Sequence, residues 1–330
     1  MTSTACPSLR RYNRSRVLPF KLVYHPGYDL QLGSHVFPSR KFRLLRERLI
    51  DEGFASPLDF DEPEPATDDQ IRLVHDAGWV ERLKHDTLRA AERIQLEIPW
   101  SPPTQRAFWL AAGGTLLTAR HALRDGAAFN LGGGFHHAFP AHGEGFCALN
   151  DIAIAIRVLQ SEGAIERAVV IDCDVHHGNG TAAIFAGDPN VATLSIHQLN
   201  NYPSVKPPST VDIHLPDHTG DSDYLRLLSE ALPTLFYQTN PSLAVYVAGA
   251  DPYQGDQLGG LSLTIDGLKE RDGFVFSAAR QHRIPVAVVL AGGYARDVQD
   301  TITIHANTAK ALSAILKDCS PFVHSFKTRT

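Results

Sequence analysis

The chain has 330 residues, 43% of them hydrophobic and 20% charged, enough apolar material for one large buried core. Lys and Arg number 31 against 36 Asp and Glu, and the formal net charge of -5 gives no general attraction to nucleic acid or to an anionic membrane surface. No apolar run reaches the roughly 18 residues that span a bilayer, and Cys6, Cys147, Cys173 and Cys319 form no CxxC pair, so cysteine usage points to a reducing, cytoplasmic setting without a disulfide framework.

Residues 1–17 carry Arg10, Arg11, Arg14 and Arg16 and lack an apolar h-region. They are read as a flexible tail before a single domain over 18–330, with an organellar leader as the alternative for a eukaryotic source. Strands are predicted at Lys21–Tyr24, Ala168–Asp172, Val191–Ile196, Leu243–Ala248 and Val286–Leu290. These runs are apolar nearly throughout, which suits parallel strands covered on both faces. Helical patterns fill the spaces between: Gln105–Arg124, Leu149–Glu162, Ser222–Tyr237, Leu268–Gln281 and Ile302–Leu316. Asn150–Asp151 and the Asp221–Ser222–Asp223 cluster read as helix N-caps. The alternation predicts an α/β fold. The proline- and acid-rich stretch Ser56–Pro65 and the stretch Asn200–Thr210 read as surface loops.

Parallel sheets bind ligands beyond the carboxyl ends of their strands, and four such segments are unusual here. The first, Leu131–Ala138, runs LGGGFHHA; the glycines permit tight turns and close approach, and His136 and His137 exchange protons near neutral pH. An isolated His-His pair is ordinarily only polar packing. The second, Ile171–Gly180, runs IDCDVHHGNG. If the strand continues through it, Asp172, Asp174 and His176 share one face by the period of two. Carboxylates closing an apolar strand are costly without a partner. The third, VAGAD, ends at Asp251, and the fourth, LAGGY, ends at Tyr294. Asp174, His176 and Asp251 together are candidate ligands for Zn²⁺, or for Fe²⁺ or Co²⁺, with a coordination position left open. His136 and His137 would then move protons, and Tyr294 would donate to an oxyanion.

On these residues the sequence resembles the histone deacetylase family, which shares its fold with the arginases. GGGFHHA, GFCALND, DCDVHHGNG, LSIH, AGADPYQGD and LAGGY occur in the family's order from about Tyr24 to Leu316. HVFP at His35–Pro38 and GDQLGGLSLT at Gly255–Thr264 are most similar to the class IV branch and its bacterial relatives.

The resemblance implies one three-layer α/β/α domain with an eight-stranded parallel sheet, and Zn²⁺ on Asp174, His176 and Asp251. It implies His137 as general base and acid, His136 paired to Asp172, and Tyr294 on the substrate carbonyl. It also implies Gly145 holding the substrate amide through its carbonyl, Phe146 on the tunnel wall, and Phe135 and Leu258 at the rim. Structural K⁺ is implied at Asp172, Asp174, His176, Ser195 and Ile196, with a second monovalent site at Phe185, Asp188 and Val191. Asn179 departs from the pattern, standing where many members carry Asp behind His137; a neutral partner stabilises the imidazolium less and leaves His137 less basic. The expected substrate is an acyl-lysine, acetyl or longer. Alternatives are a small acylated amine such as an acetylpolyamine, with Glu97 or Glu144 as an acidic gatekeeper, or a non-catalytic binding module. A two-Mn²⁺ ureohydrolase fits less well, because it needs more carboxylates. The loops Ser56–Pro65 and Asn200–Thr210 are candidates for shaping the pocket and His142 and Tyr202 for its rim, with a surface position the default, and neither the substrate's identity nor the oligomeric state is legible.

Overall fold

The computed structural model describes residues 17–318; Cys6, Cys319 and all of the predicted tail but Val17 lie outside them. Val17 donates its N–H to Asp59 Oδ1 at 2.9 Å. The strands are β1 (Lys21–Val23), β2 (Phe60–Asp61), β3 (Ala127–Asn130), β4 (Ala168–Asp172), β5 (Val191–Gln198), β6 (Val211–Leu215), β7 (Leu243–Val247) and β8 (Val286–Val289). The helices are α1 (Lys41–Asp51), α2 (Asp68–Ile71), α3 (Ala77–Lys84), α4 (Ala90–Leu96), α5 (Pro102–Asp125), α6 (Asp151–Ser161), α7 (Asn179–Ile184), α8 (Asp221–Thr239), α9 (Ile265–Gln281) and α10 (Val298–Lys317). No helix among them is long and apolar enough to cross a membrane.

The strands form one sheet in the order β2-β1-β3-β8-β7-β4-β5-β6. Every pairing is parallel, so all carboxyl ends lie along one edge. The chain steps in one direction from β3 through β4 and β5 to β6, then returns to insert β7 and β8 between β3 and β4. Right-handed crossovers of opposite sense put their helices on opposite faces. Accordingly α5 packs with α6, while α1, α10, α9 and α8 pack side by side in the other layer. The inner strands β3, β4, β7 and β8 are buried at every position, which explains their largely apolar sequences.

The five predicted strands and five predicted helices are all present, with ends shifted by a few residues. Three strands escaped prediction: β2, β3 and β6 are short or mixed in polarity. The stretch Ser56–Pro65 is not wholly loop, since it contains a 3-10 turn at Pro57–Asp59 and the edge strand β2. Asn150 caps α6 as expected, accepting Ala153 N–H at 2.9 Å. Asp221 does not cap α8; its carboxylate accepts Thr264 N–H and Thr264 Oγ1–H, bracing the start of α9 instead.

One buried cation ties the centre of the sheet together. Arg271, on α9, is fully buried and donates through Nη1 to Cys173 O at 3.1 Å and Gly249 O at 2.7 Å, the loops leaving β4 and β7. Its countercharge Asp272 is also fully buried and accepts Tyr246 OH at 2.5 Å and Thr308 Oγ1–H at 2.6 Å. Removing one partner of such a pair leaves a buried charge uncompensated. Arg271→Met is therefore expected to destabilise the protein by about 3–5 kcal/mol in chemical denaturation. An unchanged midpoint would show that the guanidinium does not hold the strand exits.

Candidate active site

Asp174 and His176 leave the end of β4, and Asp251 leaves the end of its neighbour β7. One ligand atom from each lies within 4.8 Å of the others, and all three residues are buried. The strand does not continue through them, as the period-two expectation required: β4 ends at Asp172, and Asp174 and His176 ride on the following loop. Backbone amides fix the carboxylates. Asp174 accepts Gly292 N–H at 2.8 Å and His176 N–H at 3.0 Å, and Asp251 Oδ1 accepts Val175 N–H at 2.9 Å. His176 Nδ1 lies 3.0 Å from Asp174 Oδ1 and 3.3 Å from Asp251 Oδ2.

Asp251 Oδ2 is buried and has no hydrogen-bond partner. Burial, and then the charge of Asp174, push the Asp251 carboxyl upward. Two carboxylates and an imidazole this close, with one oxygen orphaned, fit a divalent cation. A Cβ at Gly292 would stand 1.9 Å from Asp251 Oδ2 and 2.6 Å from Asp174 Oδ2, so only glycine lets the backbone pass this closely.

The histidine pair reaches the same point from β3. Gly134 has φ +88°, which turns the chain, and Asp151 in the first turn of α6 accepts Gly134 N–H and Phe135 N–H at 2.9 and 2.8 Å. His136 Nδ1 lies 2.7 Å from Asp172 Oδ2; burial opposes its charge, but Asp172 and Asp174 outweigh burial and raise it to about 9. His137 Nδ1 lies 2.7 Å from Asn179 Oδ1. The Asn179 amide orientation is set by its nitrogen, which donates to Glu144 Oε1 at 2.5 Å. Its oxygen can only accept, so His137 carries its proton on Nδ1 and leaves Nε2 as the free acceptor when neutral. Burial, then the charges of His136 and His176, hold His137 well below the ordinary histidine range.

Glu144 is therefore not a rim residue. It accepts from Asn179, from Tyr202 OH at 2.9 Å and from Gln95 Nε2 at 2.9 Å, with His142 Nε2 at 3.3 Å. Burial raises its pKa, but these four partners more than offset that and hold it at about 2. Nothing in periodicity or motif spacing distinguished it from a loop carboxylate.

A cleft with about 520 Å³ of empty space opens onto His137 and His176. Its walls include Gly145, Phe146, Tyr202 and Tyr294, with Leu258 and the exposed Glu97 also lining it. Tyr202 belongs to the Asn200–Thr210 loop, and its ring stands edge-on to His137 at 5.0 Å, so that loop is part of the site. Asp256 couples two walls: it accepts Tyr294 N–H at 2.6 Å through one oxygen and Leu258 N–H at 2.8 Å through the other. Phe135 is placed not at the mouth but behind the cleft, packed on Phe108 at 4.6 Å and Phe37 at 6.3 Å. Lys41, which carried no motif signal, is fully buried behind Tyr294, donates to Ala291 O at 2.7 Å and is lowered by burial to about 8.

The residues expected at monovalent sites fall in two places. Asp172 and Ser195 are register partners on β4 and β5, next to Ile196, and Asp172 Oδ1 accepts Asp174 N–H at 3.1 Å. Ser195 Oγ is 3.0 Å from His197 Nδ1. Farther away, Phe185 ends α7 beneath the Arg157 guanidinium, Asp188 pairs with Arg157 at 2.6 Å, and Val191 opens β5.

The model of the histone deacetylase domain matches residues 35–309. An uncharacterized protein of Picosynechococcus sp. is 41% identical over 288 residues, covering 87% of this chain and 96% of that protein. Histone deacetylase 2 of Arabidopsis thaliana is 32% identical over 298 residues, covering 85% of this chain and 77% of that protein. The crystal structure of the HDA15 HD domain superposes with a TM-score of 0.75 at 22% identity, over 90% of this chain and 91% of that one, a likeness of fold. The match to the domain model, the extended similarity to a histone deacetylase and the shared eight-stranded fold together make this chain a member of the histone deacetylase domain family.

Proposed function

We propose that this protein hydrolyses an acyl-lysine amide, acetyl or longer, using one Zn²⁺ held by Asp174, His176 and Asp251. Family membership supports acyl-amide hydrolysis. The observation that carries the finer reading is Asp251 Oδ2, buried without a hydrogen bond and 3.3 Å from His176 Nδ1, beside Asp174 at the base of a cleft that also exposes His137 and Tyr294. A bound Zn²⁺ supplies Lewis-acid polarisation of the acyl carbonyl and acidifies a water.

The chain's own residues do the rest. His137, neutral and protonated on Nδ1, accepts a proton at Nε2 from the attacking water, and the imidazolium so formed protonates the leaving amine. Tyr294, kept protonated mainly by burial, donates its O–H to the developing oxyanion. The Gly145 carbonyl accepts the substrate amide N–H, and Phe146 and Tyr202 flank the aliphatic stem. No thiol is needed: burial pushes Cys147 far up and Cys173 to about 12, so neither is a thiolate nucleophile. The same reading includes a structural K⁺ at Asp172, Asp174, His176, Ser195 and Ile196, of which Asp172 and Ser195 are register partners.

Glu97 favours a second reading. Glu97 is among the residues lining the cleft, and an acidic group there suits a cationic chain such as an acetylated polyamine.

Amine release by the Zn²⁺-loaded protein from acetyl-lysine peptide, myristoyl-lysine peptide and acetylated polyamine separates these readings. Chelator-sensitive turnover of a peptide is expected, and polyamine turnover that falls on Glu97→Gln would establish the second reading instead. Silence on all three would refute the deacylase assignment. Tyr294→Phe is expected to lower kcat by about 10²–10³-fold and His137→Ala by about 10²–10⁴-fold with metal content unchanged. Wild-type turnover in either would remove that residue from its role.

The Asn179–Glu144 pair makes a sharper test. Exchanging amide and carboxylate in the double variant Asn179→Asp/Glu144→Gln puts the charge directly on His137. A carboxylate there raises the base's pKa, so the acid limb of kcat/KM is expected to move to higher pH by about 1–3. An unmoved limb means that Asn179 does not tune His137.

A further inference from the structure

We propose that His177, His197 and Asp212, with His214 alongside, form a second site for a divalent transition metal, separate from the cluster of Asp174, His176 and Asp251. One ligand atom from each of His177, His197 and Asp212 lies within 4.8 Å of the others. His177 and His197 are fully buried, and Asp212 is partly exposed.

The sheet itself assembles the group. β5 and β6 pair in parallel with Ser195 opposite Asp212 and His197 opposite His214. Register partners in a parallel pair point to the same face, and residues two apart on a strand share it. His197, Asp212 and His214 therefore project together, and His177, in the loop after β4, lays its ring against His197 at 4.6 Å and 81°. His177 Nε2 is 3.2 Å from Asp212 Oδ1, and His197 Nε2 is 2.9 Å from His214 Nδ1. With metal–nitrogen bonds of about 2.0–2.1 Å, donor atoms around a tetrahedral ion stand about 3.4 Å apart, close to these separations.

Hydrogen-bond contacts reach His177 Nε2 and both ring nitrogens of His197. Three imidazoles crowd one carboxylate, and His177 Nδ1 is buried with no partner. Imidazole nitrogens with one carboxylate suit Zn²⁺, Co²⁺ or Ni²⁺ rather than Mg²⁺ or Ca²⁺. His214 is exposed and gives an ion its route in.

A metal here would act as a clamp. Ser209 N–H donates to Asp212 Oδ2 at 2.9 Å and Ser209 Oγ lies 3.3 Å from His177 Nε2, so the site holds the end of the loop that carries Tyr202 into the cleft. His177 also follows directly on His176, which joins the clamp to the catalytic loop through one peptide bond.

The test uses the full chain in a background lacking the first cluster. Asp251→Asn protein is stripped with chelator, dialysed against Co²⁺, and assayed for bound metal and for the visible bands of low-coordinate Co²⁺. About one equivalent per chain is expected. Adding Asp212→Asn, a conservative change at a partly exposed residue, is expected to abolish that equivalent, with circular dichroism confirming the fold. His214→Ala, on the surface, serves as the second variant and is expected to weaken Co²⁺ binding at least tenfold. No bound Co²⁺ in the Asp251→Asn protein, or equal Co²⁺ with and without Asp212→Asn and His214→Ala, would overturn the proposal. The outcome is independent of any turnover assay, so it stands or falls separately from the proposed reaction.

Discussion

Two buried carboxylates facing one imidazole form the constraint around which this molecule is arranged. Asp174 and Asp251 sit where water cannot solvate them, and their mutual repulsion opposes the packing that holds them. The fold answers with directed dipoles. Amides of Val175, His176 and Gly292 point at their oxygens, and Gly292 is glycine because any side chain would occupy the space the carboxylates need. Lys41 adds a buried positive charge from α1 on the far side of Tyr294. One oxygen is still left without a hydrogen bond, and a divalent cation would complete that arrangement.

Topology is what brings the two carboxylates together. β7 and β8 return from the far edge and insert between β3 and β4, so strands distant in sequence become neighbours with connections of opposite sense. Such reversals leave a crevice at the carboxyl edge. Arg271 closes its floor by binding the carbonyls of Cys173 and Gly249, one from each strand exit. The stability of the core and the geometry of the site thus meet in one guanidinium.

The proton-handling side of the site shows how environment divides two like residues. His136 and His137 are adjacent, yet one faces a carboxylate and is raised, while the other faces an amide and is lowered. Asn179 passes the influence of Glu144 to His137 at one remove, as an oriented dipole rather than as a charge. Tyr202 shares the same Glu144 oxygen, so the aromatic wall and the base are held by one group.

The sequence by itself determined the class of fold and most of the site. Strands apolar on both faces suit a buried parallel sheet, and buried carboxylates at strand ends are costly without a partner, which points to a ligand site. Asp174, His176, Asp251 and Tyr294 were legible because each lies within a few residues of such a strand, and His136 and His137 because of the GGGFHHA motif. Local patterning could not reveal partners supplied from elsewhere in the chain. Glu144 is separated from Asn179 by 35 positions, Arg271 from Cys173 by 98 and Lys41 from Ala291 by 250. β3 and β6 were missed because one, AAFN, has no β-branched residue and the other is half-exposed, and their strand character comes from neighbours rather than from propensity. Tertiary structure alone decided that Phe135 turns inward, that Glu144 lies behind the base, and that three histidines and an aspartate meet across β5 and β6. Each of these depends on sheet order and register, which no local sequence signal encodes.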